Sequence, residues 1–499
     1  MSSSLPSVAI ALFVKNEFSD IAGWIAWHIA LGVKTLFIFE DHSSDGTWEI
    51  IQAAAKSYDI RAVRTDPASQ PSFYLRQRDS FMAAAEECRG KYDWLGFLDG
   101  DEYLYLRHTD SLPQFLAGMP PEAGAIAFSW RIYGSSGKVV RPHTTAVEAF
   151  TQHSTPELGD NELVKSFVRP EKMGREYINP HWFDVPVENY VRPNGEKVEQ
   201  ALPIQRIDWS DAFVMHFICR SMEHYIARVK RRMHSDLPDS QGPWHRFDHN
   251  DLTDLEPLRN IRAVHNTLLP IYRNMVTAAV QTLRDSSVSE KKMPFTDGEI
   301  EKPRLVRFRS IHNTYLCYAP ATQEVFNATQ GAAEEHGMLP VYGALFPSTP
   351  DLVTLFVPGI QNRNVLLIGD ERVTDQPIYR MYKLPSGKLA LMNPMNGLFV
   401  CFIPPNEGDC RFVEANRREA DAWESATLEV VHGLEYPDSR FAVPFHPNSG
   451  TSSAEIMEWV ASAPVPPTPN AFLSVLYSVA PSAREDISHR LPGLLFPFI

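Results

Sequence analysis

The sequence predicts an α/β domain on a mostly parallel sheet, followed by an all-β domain. Two patterns carry that prediction. Through the N-terminal third, apolar runs of four to seven residues alternate with helix-length segments; after Pro303, short strands and frequent turns replace the helical period. A chain of 499 residues also exceeds one ordinary core, and a prior of about 100 to 200 residues per domain gives two or three. The divisions expected are a first domain over 1–285, a polar, turn-rich linker over 286–302, a β domain over 303–435 and a mixed tail over 436–499, in which APVPPTP is stiff and not packed.

The elements follow in order. Val8–Val14 is a near-continuous apolar run, as a parallel strand covered on both faces requires. In SDIAGWIAWHIALG, the side chains of Ile21, Trp24, Ile25, His28 and Ile29 fall on one helical face, with Ser19 as N-cap and Gly32 as stop. Residues 35–39 form a second strand that ends in Glu40 and Asp41. A helix with Trp48, Ile51, Ala55 and Tyr58 in phase, a strand at 60–63, a helix at about 74–89 and a fourth strand at Trp94–Leu98 complete three βαβ units. Such units give a parallel sheet with right-handed crossovers, whose ligands bind beyond the strand C-termini. Residues 135–210 are loop-rich. DAFVMHF then reads as a strand, SMEHYIARVKRRMH as a helix with Met222, Tyr225, Ile226, Val229 and Met233 inward, and 255–283 as helix interrupted at Pro270. Later strands include RLVRFRS, TYLCYAP, LVTLFVPG, NVLLIG and GLFVCF, at spacings that suit a barrel.

Charge and cysteine usage narrow the function. Lys plus Arg number 47 against 61 Asp plus Glu, a net charge of -14 that repels nucleic-acid backbones and excludes a general DNA or RNA binder. Five scattered cysteines without a CxxC pair fit a reducing cytoplasm. The start MSSSLPSVAIALFVKNEF lacks a basic n-region and runs at once into charge, so it reads as a first strand, neither a signal peptide nor a transmembrane segment.

The chemistry concentrates in WLGFLDGDEYL, where an apolar strand runs into Asp99, Asp101 and Glu102 around one glycine. Two carboxylates flanking a glycine offer hard oxygen ligands to Mn²⁺ or Mg²⁺. A cation held by one or two protein carboxylates keeps positions open for a diphosphate, and stabilises it as a leaving group. A bare DxD is equally compatible with a loop of solvated acids or an Asx turn. Here it follows a strand, and Glu40 and Asp41 end a second one, so both clusters are expected in one crevice.

FVKNE, FEDHSSDGT, the helix bearing Arg78, FLDGDEYL and HFICRSMEHYIARVKRR occur in one order over residues 7–235. Together they resemble a GT-A glycosyltransferase of the family-2-like group, in the branch that opens with VKNE. The resemblance implies a nucleotide-sugar donor, a glycan or other hydroxyl acceptor, and Mn²⁺ or Mg²⁺. It implies Asp41, with Glu40, at the base of the nucleotide; Arg78 facing the nucleotide; Asp99 beside the ribose and donor sugar; Asp101 and His216 on the metal; and Arg228 and Arg231 on the diphosphate. Asp45 reads equally as a helix-capping acid. The family's base motif is not evident; Asp184, Asp211 and Glu223 are candidates for the general base, Asp184 foremost, and Gly134–Gly137 is an acceptor-side loop. FRSIHNTYLCYAP and FVEANRREADAWESATLEVV resemble the fascin-like β-trefoil over about 304–431, where Tyr315 and Trp423 are barrel core or part of a sugar-binding surface. Two other classes share part of this pattern. A nucleotidyltransferase would carry a glycine-rich basic loop after the first strand, which FVKNEFSD lacks. A non-catalytic carbohydrate-binding scaffold need not have kept both Asp99 and Asp101.

Overall fold

The structure is a computed structural model that describes residues 5–232, 242–286, 300–322, 324–360, 378–394, 397–405, 410–437, 440–441, 447–463 and 465–499. It divides into two compact units, Met1–Ile271 and Tyr272–Ile499. The division falls inside a helix, upstream of the expected boundary at 285. Of the expected linker, residues 287–299 lie outside the described residues, as do Met233 and the strand at NVLLIG.

Unit 1 opens as the apolar runs dictate: β1 Val8–Val14, α1 Ile21–Ala30, β2 Thr35–Glu40, α2 Thr47–Ala55, β3 Ile60–Arg64, α3 Phe73–Cys88 and β4 Trp94–Leu98. The strands pair in parallel in the order β3-β2-β1-β4. Every side chain of β1 is buried, which explains why its sequence does not alternate. Trp24 and Trp27 of α1 anchor β5 Glu102–Leu106, their indole N–H groups donating to the Glu102 and Leu104 carbonyls at 2.8 and 2.7 Å.

The chain continues through α4 Leu112–Ala117, β6 Ala125–Ile132, α5 Ala146–Ala149, β7 Gln152–His153, β8 Val164–Val168, β9 Tyr190–Val191, β10 Ala212–His216, α6 Met222–Arg232, α7 Gly242–Phe247, β11 Leu252–Thr253 and α8 Ile261–Ser286. The sheet is therefore mixed beyond β4: β8 is antiparallel to β4 and to β6, and β10 runs parallel to β6. Two reversals restore the direction of β4. The C-terminus of β10 and the start of β8 consequently reach the edge where β1, β2 and β4 end. In α6, Tyr225 and Val229 are buried while Ile226 is exposed. The helix α8 runs through Pro270 without interruption, against expectation. A mid-helix proline costs roughly 3 kcal/mol, and burial of Val264, Leu268, Ile271, Met275 and Leu283 along the same helix offsets it.

Unit 2 is β-rich. Strands Arg304–Ser310, Tyr342–Leu345, Leu352–Phe356, Ile378–Lys383, Leu389–Met392 and Ser425–Val430 each pair antiparallel with the next, and the last returns to the first. Val306, Phe308, Leu355, Tyr379, Leu391 and Ala426 lie in its apolar core. The tail, expected to be mixed, carries three helices: Ser453–Ser462, Pro469–Ser478 and Pro481–Arg490. The proline-rich stretch ends in a helix start, with Pro469 in the first turn and the Thr468 side chain accepting from the Ala471 N–H. Phe472, Leu476 and Tyr477 are fully buried there.

Candidate active site

Strand ends deliver each acid of the site. Asp41, the residue after β2, is wholly buried. Arg76 of α3 grips its carboxylate with Nε on Oδ1 at 2.6 Å and Nη2 on Oδ2 at 2.9 Å; the Thr65 hydroxyl donates to it at 2.7 Å, and Lys15 Nζ lies 3.3 Å away. Burial alone would raise the Asp41 pKa, but Arg76, Thr65 and Lys15 hold it below the ordinary carboxylate value. Arg76 Nη1 also donates to the Gln70 and Pro71 carbonyls at 2.7 and 2.9 Å, which fixes the guanidinium.

After β4 the chain turns through Asp99, Gly100 and Asp101 into β5. Glu102 Oε2 accepts the Asp99 N–H at 2.8 Å and closes the turn. Lys165, buried on β8, sets Nζ 2.7 Å from Asp99 Oδ2 and 3.1 Å from Glu102 Oε2. Burial disfavours that cation, yet Asp99 and Glu102 outweigh it and raise the Lys165 pKa. Burial pushes the Glu102 carboxyl up to about 7, with Lys165 opposing. Asp101 Oδ2 takes Arg228 Nη1 of α6 at 2.9 Å, while His216 Nε2 at the end of β10 stands 3.6 Å from Oδ1. Burial of Asp101 is overcome by Arg228 and His216, which hold its pKa well below the usual range. The His216 ring lies 4.1 Å from the Trp130 ring, and His181 meets the same indole edge-on at 5.2 Å. Asp99, 33% exposed, is the most open of these carboxylates. Its Oδ1 receives the Gln77 amide at 3.3 Å.

Residues 7–205 match the family model Glycosyltransferase family 92. The matched region is thus similar to a glycosyltransferase family over most of the span that carries the sequence resemblance. Three relatives named as glycosyltransferase family 92 proteins share this similarity. One from Oryza sativa subsp. japonica is 26% identical over 35% of this chain and 28% of its own length. One from Ricinus communis is 26% identical over 44% of this chain and 36% of its own length. One from Arabidopsis thaliana is 25% identical over 34% of this chain and 30% of its own length. The chain therefore spans about a third of the curated relatives it matches. A crystal structure of S. aureus TarS 1-349 in complex with UDP aligns over 56% of this chain and 85% of that one, at 11% identity and a TM-score of 0.26, too slight a likeness to bear on the fold.

Within the family-92-like region and the segment that follows it, Asp41, Asp99, Asp101 and His216 stand at one sheet edge, with Arg228 on Asp101. Arg78 does not: its side chain is 42% exposed and pairs with Asp79 at 2.7 Å. Arg76 takes the inward position instead. The buried positions of α3, Gln77, Ser80, Phe81, Ala84, Ala85 and Cys88, extend backward through Arg76 and bypass 78, so helical phase alone identifies it. Asp184 stays in its own loop, accepting the Glu176 N–H at 3.2 Å. Asp211 precedes β10 and lies about 16 Å of strand from His216; it pairs with His108 at 3.3 Å. Glu223 accepts the Arg141 N–H at 2.9 Å. Asp45, one residue before the Gly46 N-cap of α2, accepts the Thr47 N–H and hydroxyl, and Glu40 pairs with Arg64 at 2.6 Å rather than facing the crevice. In the 134–137 loop, the Ser135 and Ser136 N–H groups are taken by Asp248 and Asn250. The side chain of Arg231 lies outside the described residues.

Sequence reading also missed Lys165, His181 and Arg220. A lone lysine in the apolar strand VKSFV is itself a signal, because a buried ammonium requires an acid partner. Arg220 ties the VKNE loop to the turn before α6, with Nη1 2.6 Å from Glu17 and 2.8 Å from Asp20. His181, in an irregular loop, carries no periodic signal at all.

Proposed function

We propose that this chain is a GT-A-type glycosyltransferase that moves a sugar from a nucleotide diphosphate donor, a UDP-sugar foremost, to a hydroxyl of a glycan or other acceptor, with inversion. The observation that carries the reading is the meeting of Asp41, Asp99, Asp101 and His216 at one sheet edge, each beside a fixed cation or imidazole, inside and just beyond a glycosyltransferase-like segment. Ligands of open α/β sheets bind at that edge. Asp41, wholly buried, holds Arg76, Thr65 and Lys15 at the edge where the base would sit; Asp99, held by Lys165 and Gln77, faces the ribose and donor sugar.

Asp101 Oδ1 and His216 Nε2, 3.6 Å apart, make one carboxylate oxygen and one imidazole nitrogen available together. That donor pair fits Mn²⁺ or Mg²⁺. Among the described residues no three His, Cys, Asp or Glu side chains form a cage, which suits a cation that shares its remaining ligands with phosphate oxygens and water. When bound, the cation supplies charge stabilisation to the departing diphosphate. Arg228, on the other oxygen of Asp101, adds a second positive charge on the same side. In unit 2, the ring of six antiparallel strands supports a trefoil-like reading, with a role in holding an acceptor glycan.

Assay of UDP-sugar and GDP-sugar hydrolysis with and without Mn²⁺ tests the assignment. Nucleoside diphosphate release by the wild type, lowered at least ~100-fold in Asp101→Ala with the fold intact, is expected on the scale of losing a principal electrostatic stabiliser. Equal turnover by both proteins removes Asp101 from the chemistry.

A further inference from the structure

We propose that His181 is the general base of the transfer, the group whose Nε2 takes the proton from the acceptor hydroxyl. This rests on the glycosyltransferase reading. His181 Nδ1 lies 3.0 Å from the Val164 carbonyl, an atom that only accepts, so Nδ1 carries the hydrogen and the lone pair belongs to Nε2. Nε2 has no hydrogen-bond partner among the described residues and is not among their buried, unsatisfied atoms, so it opens to solvent.

Three bonds fix the ring's position. The His181 carbonyl accepts the Ser166 hydroxyl at 2.7 Å, its N–H donates to Asn179 Oδ1 at 2.8 Å, and Nδ1 is tied to β8. Those anchors flank Lys165, which reaches Asp99, and the ring meets Trp130, which also packs against His216. The charged and titratable groups acting on the imidazole are Lys165 of β8, Asp99 beyond β4 and His216 of β10. Burial first, and then Lys165, lower its pKa to about 4, so the ring is neutral at pH 7 with its Nε2 lone pair free; the Asp99 carboxylate opposes that shift and favours the imidazolium once the proton arrives. The carboxylates expected to do this work are engaged elsewhere: Asp184 and Glu223 bind backbone N–H groups, and Asp211 lies at the opposite end of β10.

The step balances without a further reagent. The acceptor O–H proton moves to Nε2, the freed oxygen pair bonds the anomeric carbon, and the bond from that carbon to the phosphate oxygen breaks, its electrons leaving with the nucleoside diphosphate. A general base contributes roughly 10²–10⁴-fold.

The test uses the full chain, a nucleotide sugar that the wild type turns over, His181→Gln and His181→Gly. The proposal expects kcat for transfer by His181→Gln to fall at least ~100-fold, with UDP affinity and donor KM unchanged, and added imidazole to restore transfer by His181→Gly. Wild-type kcat in His181→Gln, or a loss confined to UDP affinity or donor KM, overturns the base while leaving the glycosyltransferase reading standing. A lowered kcat that imidazole does not restore, with UDP binding intact, makes His181 structural and also overturns it. Absence of turnover by the wild type with every UDP-sugar and GDP-sugar overturns both.

Discussion

Arg76 and Arg78 stand two positions apart on α3, and their burial separates their roles. Arg76 is 7% exposed and makes a two-pronged pair with a carboxylate that water does not reach. Arg76→Ala strands Asp41 in the interior with only Lys15 and Thr65 beside it, and loss of one partner from a buried pair costs roughly 3–5 kcal/mol. Arg78→Ala removes a solvated pair and should change stability by no more than ~0.5 kcal/mol. Urea unfolding of the two variants distinguishes them, and nucleotide affinity should fall in the first alone. Residue identity was legible wherever chemistry and phase coincide: Asp99, Asp101 and His216 stand at strand ends that the apolar runs reveal. Lys165 and His181 were not read, because the strand and loop bearing them follow a region without a clear period.

At the scale of elements, the site depends on how closely β4 and β8 approach. Gly96 in β4 pairs with Phe167 in β8, and a Cβ at residue 96 would lie 2.3 Å from the Phe167 ring. Phe97 stacks on Phe183 at 3.9 Å, joining β4 to the loop that carries His181. Gly96→Ala should therefore push β8 away from β4, costing roughly 1–3 kcal/mol for the overpacking. Because Lys165 follows β8, the same variant should lower transferase turnover as well as the thermal midpoint. Unaltered turnover and midpoint together would show that the two strands yield without cost. The elements themselves were legible where apolar runs are long. Pro270 misled, since a proline breaks only a helix whose packing cannot offset the lost hydrogen bond.

For the whole molecule, buried neutral histidines set the response to acid. His28 donates Nδ1–H to the Trp24 carbonyl at 2.9 Å and accepts the Leu104 N–H at 3.4 Å, and burial lowers its pKa from 6.5 to about 3. Burial, with Arg131, lowers His153 too. The unfolded chain takes up these protons near pH 6.5, before the folded chain does. The stability they confer is complete above that pH and is lost as pH falls below it, down toward 3 for His28, at about 1.4 kcal/mol per pH unit for each proton. The paired acids Asp41 and Asp101 lose stability in the same direction, but only below their ordinary 3.8. Between pH 7 and pH 5 the urea midpoint of the wild type should fall relative to that of His28→Gln, whereas Glu102, raised to about 7, acts in the opposite direction and equally in both proteins. Parallel pH profiles for the two proteins would contradict the buried, neutral state of His28.

The sequence by itself determined the parallel start of unit 1, the acids at its strand ends and the β-rich character of unit 2, because apolar period and strand termini are local properties of the chain. Only the tertiary structure decided the mixed pairing beyond β4, the helical ending, the exchange of Arg78 for Arg76, and the gathering of Lys165, His181 and Arg228 around Asp99 and Asp101. Those depend on which distant segments share a buried volume. A charge there is tolerated only when folding supplies its partner from elsewhere in the chain.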